Sequence, residues 1–600
     1  MSGQHNPLTL KVPNQRLTTL SYAEPAVKAV ESWANELPKA NIGEMSKQLY
    51  HALLELNELI CSPQSRFQLI EVLRPSVYYI CRELGKHFLN QAVVLPEKQR
   101  KIANLAQSLQ LNLANAYKLV LVDLHNAGQA EKNKKLTAPA IHRAISDLSS
   151  CVLRANQLYC QTPPDTWLEL HQLYRFARDN RLLKIKTVDG YSGTQNETTV
   201  EQAYKRVLLL GCCKPNQLRQ KDIETAYTAF EHWTDYVSLE IESGATALFV
   251  ISPKKDLAPA YRSLQTIPPS TENYGFDTSK LAGLLTEELA QGHQEAAAGS
   301  RQSQHPRLHG VETLSEPLLL AISQAIGVLA KRSFKRTSSQ GRILISVGMT
   351  ATHYFVANGT DFNTFLSGDR KNTDASYFAD HHRRDVWAQP GSGNSQAGSS
   401  GADLSPIRYT GASAASASKD AKAGYQQHIV PLVNTSPGGY CIQWIGDIPS
   451  NVQAGELLGV REDESHPWSI GVIRWIRQIR QHGTQFGVEL LAPGAKPCGV
   501  QLLQKVGENS EFLRGLLLPE LPAISQPASL VVPRLPFQVG HKVSINRQGR
   551  NTKLQLLKRI SATGSFTQFE IEAQFAEAGK PAPRKTTSSE DDFDSLWPSL

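Results

Sequence analysis

From residue 42 to residue 60 the apolar positions are Ile42, Met45, Leu49, Leu53, Leu56 and Ile60. Steps of three and four put them on one face of a helix. The same spacing recurs in Phe67, Ile70, Leu73, Val77, Ile80, Leu84 and Phe88, then in Ile102, Leu105, Leu109, Leu113, Tyr117 and Leu121. Pro96 stands just ahead of the third stripe, where a first helical turn tolerates proline. Further helices are expected near 138–160, 165–179, 198–211 and 220–238. Successive amphipathic helices must bury their stripes against one another. Residues 25–240 therefore read as an α-helical bundle or irregular solenoid behind a flexible N-terminus, 1–24. The run from Trp167 to Ala177 resembles a tetratricopeptide helix. No period of about 34 residues repeats, so no true repeat is assigned.

The pattern changes after residue 240. Ala247, Leu248, Phe249, Val250 and Ile251 form a short, continuously apolar run that reads as a buried strand. Helices near 278–290 and 315–332 follow, and 241–330 reads as a small α/β connector. Strand-like sequence begins at Ile343-Leu344-Ile345-Ser346-Val347, with His353-Tyr354-Phe355-Val356 read as its continuation. Residues 359–425 are rich in Gly, Ser and Ala and read as a flexible insertion, because that composition buries too little apolar surface to fold alone. Alternation resumes at Ile429, with Tyr440, Ile442 and Trp444 facing one way and Phe486, Val488 and Leu490 alternating later. Strands at 455–460 and 468–476 lie between. Short strands broken by Gly and Pro suggest a small antiparallel barrel or sandwich. A second small β domain, 501–575, and a disordered acidic tail, 576–600, complete a multidomain α+β chain. Acidic residues interleaved with Phe593, Leu596 and Trp597 make the tail a candidate partner-binding motif, against the plainer reading of a loose terminus.

Length and composition narrow this picture. The 600 residues suggest about three or four domains. An apolar fraction of 40% and a charged fraction of 20% fit a globular chain with some flexible segments. The net charge of +8 permits an anionic ligand but forms no basic stripe of the kind that nucleic-acid binders carry. No secretory signal and no apolar run of about 18 residues is visible. The eight cysteines form no C-x-x-C pair, so buried, reduced thiols in the cytoplasm are expected rather than a zinc site or disulfide framework.

Two short signatures carry the candidate chemistry. Arg332-Ser333-Phe334-Lys335-Arg336 places two arginines four apart. Asn434-Thr435-Ser436-Pro437-Gly438-Gly439 supplies N-x-S-x-x-G at the head of an alternating run. Planar guanidinium groups donate in parallel pairs to phosphate oxygens and to the O6 and N7 acceptors of guanine, and they stack on base faces. Asn and Ser add compact polar contacts, and Gly lets backbone come close or take a positive φ.

Together these resemble the R-x-x-x-R and [DN]-x-S-x-x-G halves of the PilZ-domain signature. The runs Trp468-Ser469-Ile470-Gly471-Val472-Ile473-Arg474-Trp475 and Phe486-Gly487-Val488-Glu489-Leu490 are similar to that family's closing strands. The resemblance covers roughly 330–500. It implies a six-stranded antiparallel barrel that binds cyclic di-GMP, with Arg332 and Arg336 clamping guanine and phosphate and with Asn434, Ser436 and Gly439 completing the pocket. The signatures stand nearly a hundred residues apart, wider than the family's usual spacing, and looping out the insertion accounts for the excess at small entropic cost. The implied function is a cytoplasmic bacterial signalling receptor. Ligand orders the Arg332–Arg336 linker, re-orients the barrel against the helices, and the helical domain relays the signal to a protein partner. The alternative is a ligand-independent scaffold or chaperone-like protein with a degenerate barrel. RNA binding by the β blocks is disfavoured, because the strand aromatics alternate as core residues.

Asp380-His381-His382 resembles a phosphoesterase signature but has no converging ligands around it, so no metal is expected. Arg547-Gln548-Gly549-Arg550 reads as a basic hairpin turn. His51, His125 and His171 lack a second histidine at ligand spacing. No catalytic motif is present, and the chain is not expected to be an enzyme.

Overall fold

The computed structural model describes residues 8–191, 193, 195–242, 247–264, 272–298, 308–328, 337–339, 341–368, 425–463, 465–479, 483–504, 509–521 and 526–573. The chain divides into two compact units, the first built from residues 1–331 and the second mainly from the remainder.

The first unit opens with helices α1 (Val27–Glu36), α2 (Ile42–Glu58), α3 (Pro63–Gly85), α4 (Glu97–Asn126), α5 (Lys134–Gln157) and α6 (Thr166–Asp179). A short antiparallel pair, β1 (Lys186–Val188) with β2 (Glu197–Thr199), precedes α7 (Val200–Cys212) and α8 (Gln220–Trp233). Local chemistry sets the helix starts. Asn41 and Ser62 each accept a backbone N–H of the first turn, and Thr199 with Gln202 forms a reciprocal capping box. The expected stripes are buried: Met45, Leu49, Leu53 and Leu56 on α2, and Ile70, Leu73, Val77, Ile80 and Leu84 on α3. Ile60 departs from the expectation. It lies past the end of α2 and is 56% exposed.

The α4 helix packs against α2, α3 and α5. Two charge pairs are sunk among these helices. Arg74 Nη2 lies 2.8 Å from Asp189 Oδ2, and Lys118 Nζ lies 2.8 Å from Glu169 Oε1. Close pairing is what lets such charges leave water. Beside them, Tyr78 and Gln110 both donate to Asp147 Oδ1 at 2.7 Å, and burial raises the Asp147 carboxyl to about 7.

Beyond the helices, β3 (Ser238–Ile241), β4 (Phe249–Ile251), β5 (Ala260–Tyr261) and β6 (Tyr274–Asp277) form an antiparallel sheet in the order β3-β6-β4-β5. Helices α9 (Ser279–Ala298) and α10 (Glu316–Ile326) pack against each other.

The second unit holds two barrels. The first uses β8 (Arg342–Val347), β9 (His428–Ser436), β10 (Gly439–Trp444), β11 (Leu457–Arg461), β12 (Ser469–Ile479) and β13 (Gly483–Ala492), with β7 (Thr337–Ser338) flanking β9. The strands close in the ring β8-β9-β10-β13-β12-β11, because β9 pairs with both β8 and β10. The second barrel uses β14 (Lys496–Leu502), β15 (Leu513–Leu518), β16 (Ser529–Pro533), β17 (Lys542–Arg547), β18 (Arg550–Ala562) and β19 (Phe566–Ala573), closed in the order β14-β15-β16-β19-β18-β17. Its interior is Val500, Leu530, Val532, Val543, Ile545, Leu556 and Phe569. Full closure leaves neither barrel an open sheet edge. The basic turn is a hairpin, as expected: Gln548 and Gly549 both take positive φ between β17 and β18.

One expectation about the first barrel is corrected. Residues 353–356 do not prolong the strand. Gly348 takes φ +86°, the strand stops, and α11 (Gly348–Val356) follows. A run as short as His353-Tyr354-Phe355-Val356 fits either period, so the pattern alone cannot separate helix from strand. A further helix, α12 (Phe362–Ser367), is capped by Asp361, whose carboxylate accepts the N–H groups of Asn363 and Thr364 at 3.1 Å. Both helices pack on the second barrel. His353 Nε2 meets the Cys498 carbonyl oxygen at 3.2 Å, and the rings of Phe362 and Phe365 stand edge-on to the His353 ring. A shared core joins the barrels, with Leu457, Ile470, Val472 and Leu491 of the first against Leu516, Leu518, Val531 and Phe566 of the second.

Candidate functional site

The N-x-S-x-x-G signature is a β-hairpin. Asn434, Thr435 and Ser436 end β9, Pro437 and Gly438 make the turn, and Gly439 starts β10. Register puts Ser436 opposite Gly439 and Asn434 opposite Cys441. The Ser436 hydroxyl donates to the Gly439 carbonyl oxygen at 3.2 Å, tying the turn shut. Gly439 has φ +148° and faces Glu489 of β13. A Cβ placed there would run into the backbone carbonyl of Val488. Glycine at this position therefore lets β10 and β13 come together.

Asn434, Ser436 and Gly439 are thus brought onto one hairpin. Arg332 and Arg336 lie outside the described residues. The chain is described again from Thr337, the residue after Arg336. Thr337 pairs with Thr435, and Ser338 pairs with Asn434.

Two side-chain pairs border the hairpin. Arg474 Nε lies 2.6 Å from Glu489 Oε2, directly across from Gly439, with both side chains about half exposed. Tyr440, next to Gly439, donates to Glu462 Oε1 at 3.2 Å. Burial, reinforced by the Glu462 charge, pushes the Tyr440 phenol up to about 12. Arg474 and Glu489 stand inside the two closing-strand runs, so their positions were visible, but their pairing depends on strand register. The same register explains the Trp475 and Gly487 of those runs: the Trp475 indole occupies the space a Cβ on Gly487 would fill.

Asp380, His381 and His382 also lie outside the described residues. Among the described residues no three His, Cys, Asp or Glu side chains form a group able to hold a metal ion. No helix among them is long and apolar enough to cross a membrane.

Comparison with known proteins decides the family. The family model described as cyclic-di-GMP receptor FimW, N-terminal domain, matches residues 28–245. The model for the middle PilZ domain matches 248–497, and that for the FimW C-terminal beta-barrel domain matches 498–574. A cyclic-di-GMP receptor FimW of Pseudomonas aeruginosa is 40% identical over 623 aligned positions that cover 100% of both chains. The chain belongs to the FimW family. Its middle domain is a PilZ domain, as the paired signatures implied, and the FimW middle-domain match includes β4, β5 and β6 of the small sheet and the helices α9 and α10, while β3 falls within the N-terminal-domain match. No solved structure matches the chain.

Proposed function

We propose that this chain is a cyclic di-GMP receptor that takes the nucleotide at the β9–β10 hairpin of its PilZ barrel. Full-length membership in a family of cyclic-di-GMP receptors supports the ligand. The observation that carries the site is the pairing of Thr337 and Ser338 with Thr435 and Asn434, since Thr337 follows Arg336 directly. In this reading Arg332 and Arg336 clamp guanine and phosphate through their forked donors. Asn434 contributes an amide, and the Ser436 oxygen accepts a ligand N–H with a lone pair while its own proton stays on the Gly439 carbonyl.

Binding is the chain's task in this reading, not catalysis, and the helical domain passes the signal to a protein partner. The cytoplasm is the compartment that suits it, because the eight cysteines form no disulfide. Calorimetric titration of the full chain with cyclic di-GMP tests the ligand, with the Arg332→Ala/Arg336→Ala double variant as control. Saturable binding that the double variant loses is the expected result. A wild-type chain that gives no binding heat overturns the reading, and binding unchanged in the double variant overturns the site.

A further inference from the structure

The second unit contains a cleft that the hairpin site does not use. It has a volume of about 830 Å³ and lies between α11, the β11–β12 connection and the face of the second barrel. Its aromatic floor is Phe355 stacked on Trp468, with ring centroids 5.7 Å apart. The Arg461 guanidinium lies 5.8 Å from the Trp468 ring and donates from Nε to the His466 carbonyl oxygen. Lys496 and Arg547, both exposed, complete a cationic rim. No carboxylate occurs among the described lining residues. The remaining walls are mainly apolar, with Leu517, Leu518 and Ile571 among them.

Three cations around an apolar, aromatic-floored cleft suit a segment that carries carboxylates and large apolar side chains together. The chain itself contains one. Residues 588–600 read SSEDDFDSLWPSL, with Glu590, Asp591, Asp592 and Asp594 beside Phe593, Leu596 and Trp597, and with no basic residue. We propose that this segment docks in the cleft between the two barrels of its own chain. Ile571 lines the cleft two residues before β19 ends at Ala573. From there to Glu590 is 17 residues, an extended reach of about 55–60 Å, so the tether does not limit docking. Tethering also supplies an effective concentration of about a millimolar, so a weak intrinsic affinity suffices.

The carboxylates meet Arg461, Lys496 and Arg547, and Phe593 or Trp597 lies over the aromatic floor. A docked segment covers apolar surface of both barrels at once. This proposal is independent of cyclic di-GMP binding at the hairpin.

A fluorescent peptide of residues 588–600 tests it by anisotropy against two proteins, the full chain and a chain lacking 588–600. The deletion begins well beyond β19, so no strand is removed. The peptide is expected to bind the truncated chain and to bind the full chain about tenfold or more weakly, because the tethered copy competes. Lys496→Glu/Arg547→Glu in the truncated chain is expected to weaken binding about tenfold, and added salt to weaken it further. Both substituted side chains are exposed, and circular dichroism verifies the fold. No binding to the truncated chain overturns the proposal. Equal binding to both proteins overturns docking within the chain, and binding indifferent to the charge reversals overturns the cleft as the site.

Discussion

Ser436 and Gly439, the serine and the glycine of one short sequence signature, face each other across a two-residue turn, and the Ser436 hydroxyl bonds the Gly439 carbonyl oxygen at 3.2 Å. The signature therefore describes a piece of barrel architecture as well as a set of polar groups. Its serine closes a turn, its glycine admits a neighbouring strand, and its asparagine sits beside the strand that follows the arginine pair.

Substituting the glycine tests the architectural half. Gly439→Ala adds a Cβ where the Val488 carbonyl already stands, at a φ that side-chain-bearing residues rarely adopt. The strain is expected to cost about 3 kcal/mol or more, lowering the urea midpoint of the second unit whether or not nucleotide is present.

The polar half separates from it. Asn434→Ala and Ser436→Ala are each expected to weaken cyclic di-GMP binding about tenfold, the worth of one good hydrogen bond. Ser436→Ala is also expected to remove about 1 kcal/mol of stability through the lost turn bond. Titration calorimetry beside urea unfolding reads both effects on the same samples.

The junction of the barrels should be acid-sensitive. Burial, with help from the Arg514 charge, pushes His353 down to about 4, against an ordinary value of 6.5. Between those values the unfolded chain takes up a proton that the folded chain refuses. The stabilisation from a neutral His353 is complete above about pH 6.5 and is lost as pH falls toward 4, by up to about 3 kcal/mol. Burial pushes His171 in the helical unit down to about 4 as well. Urea midpoints of the barrel transition should fall between pH 7.5 and pH 5, and His353→Gln should flatten that fall.

Phe566 tests whether the two barrels are one folding unit. Its ring is 1% exposed in the core shared with Leu457, Ile470 and Val472 of the other barrel. Phe566→Ala is expected to cost about 3–5 kcal/mol. Both barrels should unfold earlier and together, which hydrogen exchange resolved to each barrel's strands would read. Early exchange confined to the second barrel would show that they fold separately.

What the chain's pattern disclosed follows from the range of the forces involved. The stripes on α2, α3 and α4 are local, repeat over several turns, and are buried along most of their length. The signature was legible because Asn434, Ser436 and Gly439 sit within six residues, but the hairpin they form shows only in the strand register. The α11 helix was not, since Tyr354 and Phe355 are too few to display a period. The α12 helix was masked by the Gly- and Ser-rich sequence that follows it, although Asp361 is an ordinary N-cap signal. Strands β14 and β15 escaped notice because Pro497, Gly499 and Gly515 interrupt their apolar residues. The shared core was hidden for another reason. Leu457, Ile470 and Val472 look like ordinary barrel-strand residues until a second barrel is seen covering them. The reason for Gly439 lies with Val488, some fifty positions further along the chain.

That last distance changes what the signature can diagnose. Any member of the fold that closes β10 against β13 in this way must keep the glycine, including one that has lost its nucleotide. A surviving Gly439 is thus a mark of barrel closure and says nothing about ligand. In the proposed binding mode, Asn434 and the two arginines are the positions whose replacement would separate sensors from silent descendants.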